Sequence, residues 1–169
     1  ALSAGAARQS AALLAFPLFH VSGCYAVFLS SMMQGAKVVI LRKWDAATAL
    51  NLIEREQIAS FSGAPAMYWD MLRQDPSARS TQSLLSVGAG GQAFAPTLYK
   101  QITMAFPQAV LGVGYGMTEC GGTVCTLAGE ELNRHETASG RVFPSVDVRI
   151  VDDQEVDVPF GQSGEILIR

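Results

Sequence analysis

Three side chains suited to handling a nucleotide sit close together in one run. They are the ring of Tyr115, the hydroxyl of Thr118 and the carboxylate of Glu119, in Gly112-Val113-Gly114-Tyr115-Gly116-Met117-Thr118-Glu119. A flat ring suits a base, and a hydroxyl suits a phosphate oxygen. A carboxylate is the hard oxygen ligand that Mg²⁺ prefers. A charge-assisted hydrogen bond contributes about 1.5–3 kcal/mol, so a nucleotide would need further groups from elsewhere in the chain. A second reading stays open here: Thr118 and Glu119 could simply cap a short helix, at the end where an oxygen acceptor and a negative charge are favoured.

Two other stretches carry candidate chemistry. Gly88-Ala89-Gly90-Gly91-Gln92-Ala93 fits G-x-G-x-x-A, a form of the dinucleotide fingerprint. An NAD(P)-binding oxidoreductase is therefore one alternative. Such a site also wants an acidic residue about 20 positions on to hold the ribose, and no Asp or Glu lies between Asp75 and Glu119. The third stretch is Pro17-Leu18-Phe19-His20. His20 and Cys24 share helical spacing, but no second pair at ligand spacing joins them, so a His/Cys metal site is not supported. Met32, Met33, Met67 and Met71 are read as core. There is no G-x-x-x-x-G-K-[ST] loop and no G-x-S-x-G elbow.

The elements that must position these groups follow from pattern. Leu13 to Phe16 reads as a strand stopped by Pro17. Val21 to Gln34 reads as a helix, apolar nearly all round and hence buried. Lys37 to Leu41 is a β-branched strand, and Asp45 then caps a helix through Ala46, Ala49, Leu50 and Ile53. Ile58 to Ser62 is a strand, and Pro65 opens a helix through Tyr68, Met71 and Leu72. Leu84 to Val87 is a strand, Gly88 to Gly91 a loop, and Pro96 opens a helix through Leu98, Tyr99 and Ile102. Ala109 to Gly112 is a strand that opens into the Tyr115–Glu119 loop. Val146 to Ile150 and Glu165 to Ile168 are further strands. The Asp152-Asp153 and Asp157 to Gly161 stretches read as turns.

Alternating strands and helices predict an α/β fold. The sheet is mostly parallel with helices on both faces, flavodoxin-like or Rossmann-like, and a short antiparallel β element lies at the C-terminus. Residues 1–169 read as a single α/β subdomain, with about 123–169 beginning a β-rich element. Ligands of open α/β sheets bind beyond the carboxyl ends of the strands, where Tyr115 to Glu119 would lie. A doubly wound binding module without catalysis is the other alternative.

The composition limits the choice. The chain is 49% hydrophobic and only 16% charged, with a net charge of -3. No basic stripe is present, which argues against nucleic acid. Three cysteines, Cys24, Cys120 and Cys125, form no CxxC pair and point to a reduced, cytoplasmic setting. Arg8 ahead of Ala11 to Phe19 resembles a signal peptide, but Pro17 interrupts the run and no small-residue cleavage pattern follows. No apolar run reaches the length of a transmembrane segment. Both ends have the look of cuts within a longer protein.

Taken together, Phe16-Pro17-Leu18-Phe19-His20, Gly88-Ala89-Gly90-Gly91, Tyr115-Gly116-Met117-Thr118-Glu119 and Gly164-Glu165-Ile166-Leu167-Ile168-Arg169 resemble the adenylate-forming superfamily. Acyl-CoA synthetases, luciferases and the adenylation domains of peptide synthetases belong to it. The stretch from Trp44-Asp45 through Ile53-Glu54 to Ala64-Pro65 is similar to the family's connecting segment. The nearest resemblance is to a fatty-acid or related acid–CoA ligase. It implies that a carboxylic acid reacts with ATP and Mg²⁺ to give an acyl-adenylate and pyrophosphate, and that a thiol, usually CoA, then takes the acyl group.

The resemblance also implies roles. Tyr115 would stack on adenine, Thr118 would bond phosphate, and Glu119 would ligate Mg²⁺. Gly114, Gly116 and Met117 would complete the nucleotide site. Gly88, Ala89, Gly90 and Gly91 would line the adenine and acyl pocket, and His20 would sit near the acyl carboxylate and the thiol tunnel. The sequence departs from the family's Gly-Gly-Ala-Pro at Gly90-Gly91-Gln92-Ala93. The family's phosphate loop would precede Ala1. Its ribose-binding Asp and C-terminal domain with the catalytic Lys would follow Arg169. The remainder of its own chain is thus an expected partner, and the segment alone is expected to be inactive.

Overall fold

A computed structural model describes residues 10–92 and 94–169. Arg8 of the signal-like stretch and Ala93 of the glycine fingerprint lie outside the described residues. The main sheet has seven strands in the order β2-β1-β3-β4-β5-β6-β7. These are β1 (Ala11–Leu14), β2 (Lys37–Ile40), β3 (Ser60–Gly63), β4 (Ser86–Gly90), β5 (Val110–Met117), β6 (Gly122–Ala128) and β7 (Arg141–Val142). The first five are parallel; β6 pairs antiparallel with β5, and β7 antiparallel with β6. The order 2-1-3-4-5 is the flavodoxin-like winding, so the α/β expectation is met. An antiparallel hairpin, β8 (Val148–Val151) with β9 (Glu165–Ile168), forms a second small sheet.

Helices cover both faces. On one lie α2 (Ala46–Glu56), α3 (Pro65–Arg73) and α4 (Pro96–Ala105), which pack Leu50, Ile53, Tyr68, Met71, Leu98 and Ile102 onto Leu13, Phe61, Val87 and Leu111. Fully burying each such side chain contributes about 1.5–3 kcal/mol. The local signals act as read. Asp45 accepts the Thr48 backbone N–H at 2.7 Å as the cap of α2, and prolines open α3 and α4. A short helix α5 (Gly129–Arg134) follows β6.

Among the described residues the other face carries only α1, which is wound in wide π-type turns over Ser22–Leu29 and in α form over Ser30–Met33. It covers β1 and β2 through Val27 and Phe28 against Ala12, Leu14 and Val38. The expected burial of this helix is corrected: Tyr25, Leu29, Met32 and Met33 are exposed. An apolar helix is buried all round only if something packs on its far side, and none of the described elements does. Met32 and Met33 therefore leave the core, while Met67 and Met71 stay in it.

Two loops are also corrected. Gly88 to Gly90 belong to β4, and β5 runs on through Gly112 to Met117. Glycine runs lack the side-chain pattern of a strand, yet their backbones pair normally when flanked on both sides. Here β3 and β5 flank β4, and β4 and β6 flank β5. Among the described residues no helix is long and apolar enough to cross a membrane.

Candidate active site

The body of α1 packs on β1 and β2 and its start touches β6, so the carboxyl half of the sheet between them is left as an open floor. The strand register arranges that floor in rows. The innermost pairs Ser86 with Val110; next comes Ser62–Gly88–Gly112–Ala128, then Gly90–Gly114–Thr126, and at the mouth Gly116–Thr123. The residues between them, such as Phe61, Val87, Ala89 and Leu111, join the opposite core, as strand alternation requires.

A cleft of about 580 Å³ sits on this floor. Its wall is Phe16, His20, Val21, Ser22 and Ala26, and Thr118 and Glu119 stand at its lip. The three sequence stretches that could do chemistry, 88–91, 114–119 and His20, thus line one cavity although up to 99 positions separate them in the chain.

Each segment is held from behind. Tyr68, fully buried on α3, donates its hydroxyl to the Gly88 carbonyl at 2.5 Å, and burial pushes its pKa well up. A ring chain runs behind the floor: Trp44 stacks on Phe61, which meets Tyr68 edge-on, then Phe94 and Tyr99. Gly23 lets α1 begin against the Pro17 backbone, where a Cβ would meet the Pro17 carbonyl oxygen at 2.2 Å. That seats His20, whose Nδ1 accepts the Ser22 N–H at 3.1 Å. In the neutral ring the proton then lies on Nε2. Gly116 faces β6 so closely that a Cβ would fall 1.9 Å from the Gly122 oxygen, beside a register shift at Tyr115/Gly116.

The capping alternative for Thr118 and Glu119 is not realised. Their short turn, Thr118–Cys120, starts from Met117 without a side-chain cap. Both side chains are exposed and make no hydrogen bond or ion pair among the described residues. The dinucleotide reading loses its geometry as well: Gly88 and Gly90 sit inside a strand, and α4 begins only at Pro96. No helix N-terminus therefore meets the glycines. Among the described residues no group of three His, Cys, Asp or Glu could hold a metal by itself. Glu119 alone suits Mg²⁺, which is typically held by one or two carboxylates plus substrate phosphates.

A second chamber of about 550 Å³ shares Gly90, Gly91 and Gly114 to Gly116 with the first. Its other walls are Gln92, Phe94, Pro96, Tyr99 and Glu136 to Ser139. Burial, helped by the nearby Glu136 carboxylate, raises the Tyr99 phenol to about 12. Tyr115 lines both chambers. Sequence reading missed Ser62, Thr123 and Thr126 in the first and all of the Phe94–Tyr99–Glu136 wall in the second. Strand alternation could have found Ser62; the others depend on α5, β6 and β7, which no periodicity announced.

Comparison with known proteins gives a consistent result. Residues 2–169 match the family model described as AMP-binding enzyme. The chain is 32% identical over 162 residues to 4-coumarate–CoA ligase 5 of Oryza sativa subsp. japonica, covering 93% of this chain and 30% of that protein. It superposes on the o-succinylbenzoate coenzyme A synthetase of Bacillus subtilis in complex with ATP and magnesium ion, with a TM-score of 0.82 and 25% identity, over 95% of this chain and 33% of that one. The N-terminal domain of FACL13 from Mycobacterium tuberculosis, inhibitor bound, gives a TM-score of 0.84 at 25% identity, over 95% and 40%. The chain spans 26% and 30% of the lengths of the first two curated relatives it matches.

Proposed function

The chain belongs to the AMP-binding enzymes, and on that premise we propose that it is the nucleotide- and acid-binding part of an AMP-forming acid–CoA ligase. The observation that carries this reading is the convergence of Phe16 and His20, Gly88–Gly91 and Tyr115–Glu119 on one cleft. The CoA acceptor is supported by relatives whose names specify CoA ligation. ATP and Mg²⁺ are supported by the B. subtilis complex.

The two chambers divide the substrates. The second, with its aromatic wall and the backbone of Gly90 to Gln92, suits adenine, and Tyr115 supplies a ring face between the chambers. The first takes the acid, with its carboxylate towards His20. Thr118 donates to phosphate, and Glu119 holds Mg²⁺, which neutralises phosphate charge as it develops. A carboxylate oxygen then bonds to the α-phosphorus while the bond to pyrophosphate breaks. In the second half-reaction a thiol sulfur bonds to the acyl carbon and AMP leaves. His20, its proton held on Nε2, is placed to donate towards the acyl oxygen. A fatty or related acid and a reduced cytoplasmic setting complete the proposal, the latter supported by three free cysteines.

The test is an acid panel on the full-length enzyme with Mg·ATP and CoA, scored by pyrophosphate release and thioester formation. At least one acid should support both. Release from none would overturn the reading.

A further inference from the structure

The floor of the acid chamber carries more information than its volume. Gly88, Gly90, Gly112 and Gly114 form its centre, so no side chain rises there and a flat body can lie against backbone. The hydroxyls around this strip include those of Ser62, Ser86, Thr123 and Thr126, and Ser62 is the one set over its middle. The Ser62 hydroxyl lies over Gly88, where a Cβ would come within 2.5 Å of its oxygen. Among the described residues it has no hydrogen-bond partner. By contrast, the nearby Thr126 hydroxyl is occupied, donating to the Val113 carbonyl at 2.9 Å. Gly88 therefore makes room for a hydroxyl that none of the described residues partners.

Its depth is also defined. Ser62 shares a row with Gly88 and Gly112, two rows in from the Gly116 mouth where His20, Thr118 and Glu119 gather. With a rise of about 3.3 Å per residue, that is about 13 Å along the strand. Ser86 and Val110, one row further, end the cleft.

We infer that the acid carries a hydroxyl or carbonyl oxygen on the far part of its body, positioned to bond Ser62. An unsubstituted hydrocarbon acid of the same length is the poorer substrate. This rests on the ligase reading above and narrows its acid. A hydrocarbon lying over Ser62 would take that hydroxyl out of water without a partner, which is costly. Sites built to bond a substrate hydroxyl discriminate strongly against analogues lacking it.

The test uses the full-length enzyme and pairs of acids matched in length, one of each pair carrying the distal hydroxyl: straight-chain acids with their terminal hydroxy forms, and arylpropenoic acids with their ring-hydroxylated forms. Pyrophosphate release gives kcat/KM for each. In at least one pair the hydroxylated acid should be favoured about tenfold or more, the scale of one net hydrogen bond. Ser62→Ala should bring that ratio down about tenfold, and Ser62→Thr should preserve it. Gly88→Ala, which drives a methyl into the Ser62 oxygen, should also lower it. Equal or reversed preference in every pair would overturn the inference while leaving the ligase reading intact, as would a ratio unmoved in Ser62→Ala. Release from no acid at all would overturn the ligase reading and the inference with it.

Discussion

Gly116→Ala tests the architecture of the site more sharply than any change to a reacting group. The new methyl would sit 1.9 Å from the Gly122 carbonyl oxygen and 2.7 Å from the Gly122 carbonyl carbon and the Thr123 Cα. All three obstacles are backbone, so no side-chain rotation relieves them. Ordinary contact begins near 3.4 Å, and β5 and β6 would have to part by about 1.5 Å at that point. Overpacking of this kind costs about 1–3 kcal/mol. Loosening the Gly116–Thr123 and Met117–Gly122 pairings adds about 0.5–1.5 kcal/mol for each hydrogen bond lost. With one bond lost at each pairing, a total of about 2–6 kcal/mol is a large part of the 5–15 kcal/mol that typically holds a domain.

The functional effect of that substitution is larger than its stability cost suggests. Tyr115 and Thr118 flank Gly116, and a displacement of about 1 Å at reacting groups can cost about 100-fold in rate. The full-length variant should unfold at lower urea and lose about 100-fold or more in kcat/KM for pyrophosphate release. Gly91→Ala is the comparison: nothing lies within 4 Å of its Cβ, and only its φ of +86° opposes the change. It should cost about 1–2 kcal/mol of backbone strain, with no separation of strands. A Gly116→Ala enzyme within twofold of wild type in both stability and rate would refute the packing argument.

Three further outcomes follow from other parts of the structure. Tyr68→Phe removes the buried donor from the Gly88 carbonyl and should cost about 1–3 kcal/mol by urea denaturation. Tyr99 holds its proton more tightly folded than unfolded, its pKa raised from 10.0 to about 12. The stability this contributes is fully lost only as pH rises through that window, so Tyr99→Phe should flatten the decline between those values, read by thermal unfolding. The isolated 169-residue segment should release pyrophosphate no faster than buffer, because positioning by groups outside it can account for about 7–11 kcal/mol of barrier lowering.

Much of the fold was legible because its signals are local. The Asp45 cap, the prolines at Pro65 and Pro96, and the β-branched Lys37–Leu41 strand each act through neighbouring backbone. What was illegible depends on distant pairing. The glycine stretches read as loops because a strand without side chains has no periodicity; only flanking strands make them strands. The burial of α1 was misjudged because composition reports what a helix could bury, not what lies against it. In the site, types and spacing singled out Tyr115, Thr118 and Glu119, and the structure puts all three on one cleft. The Phe94–Tyr99 wall was not legible, because it comes from elements that meet only in three dimensions; Ser62 was overlooked although strand alternation could have found it.

The central claim is that Glu119, unpaired at the lip of the cleft, holds the magnesium that accompanies the nucleotide. Its most direct test is a Mg²⁺ titration of acyl-adenylate formation by the full-length enzyme and its Glu119→Gln variant. Replacing the charged ligand by an amide should raise the Mg²⁺ needed for half-maximal rate about tenfold or more, the scale of one lost charge-assisted contact. Superimposable titration curves for the two enzymes would contradict the account.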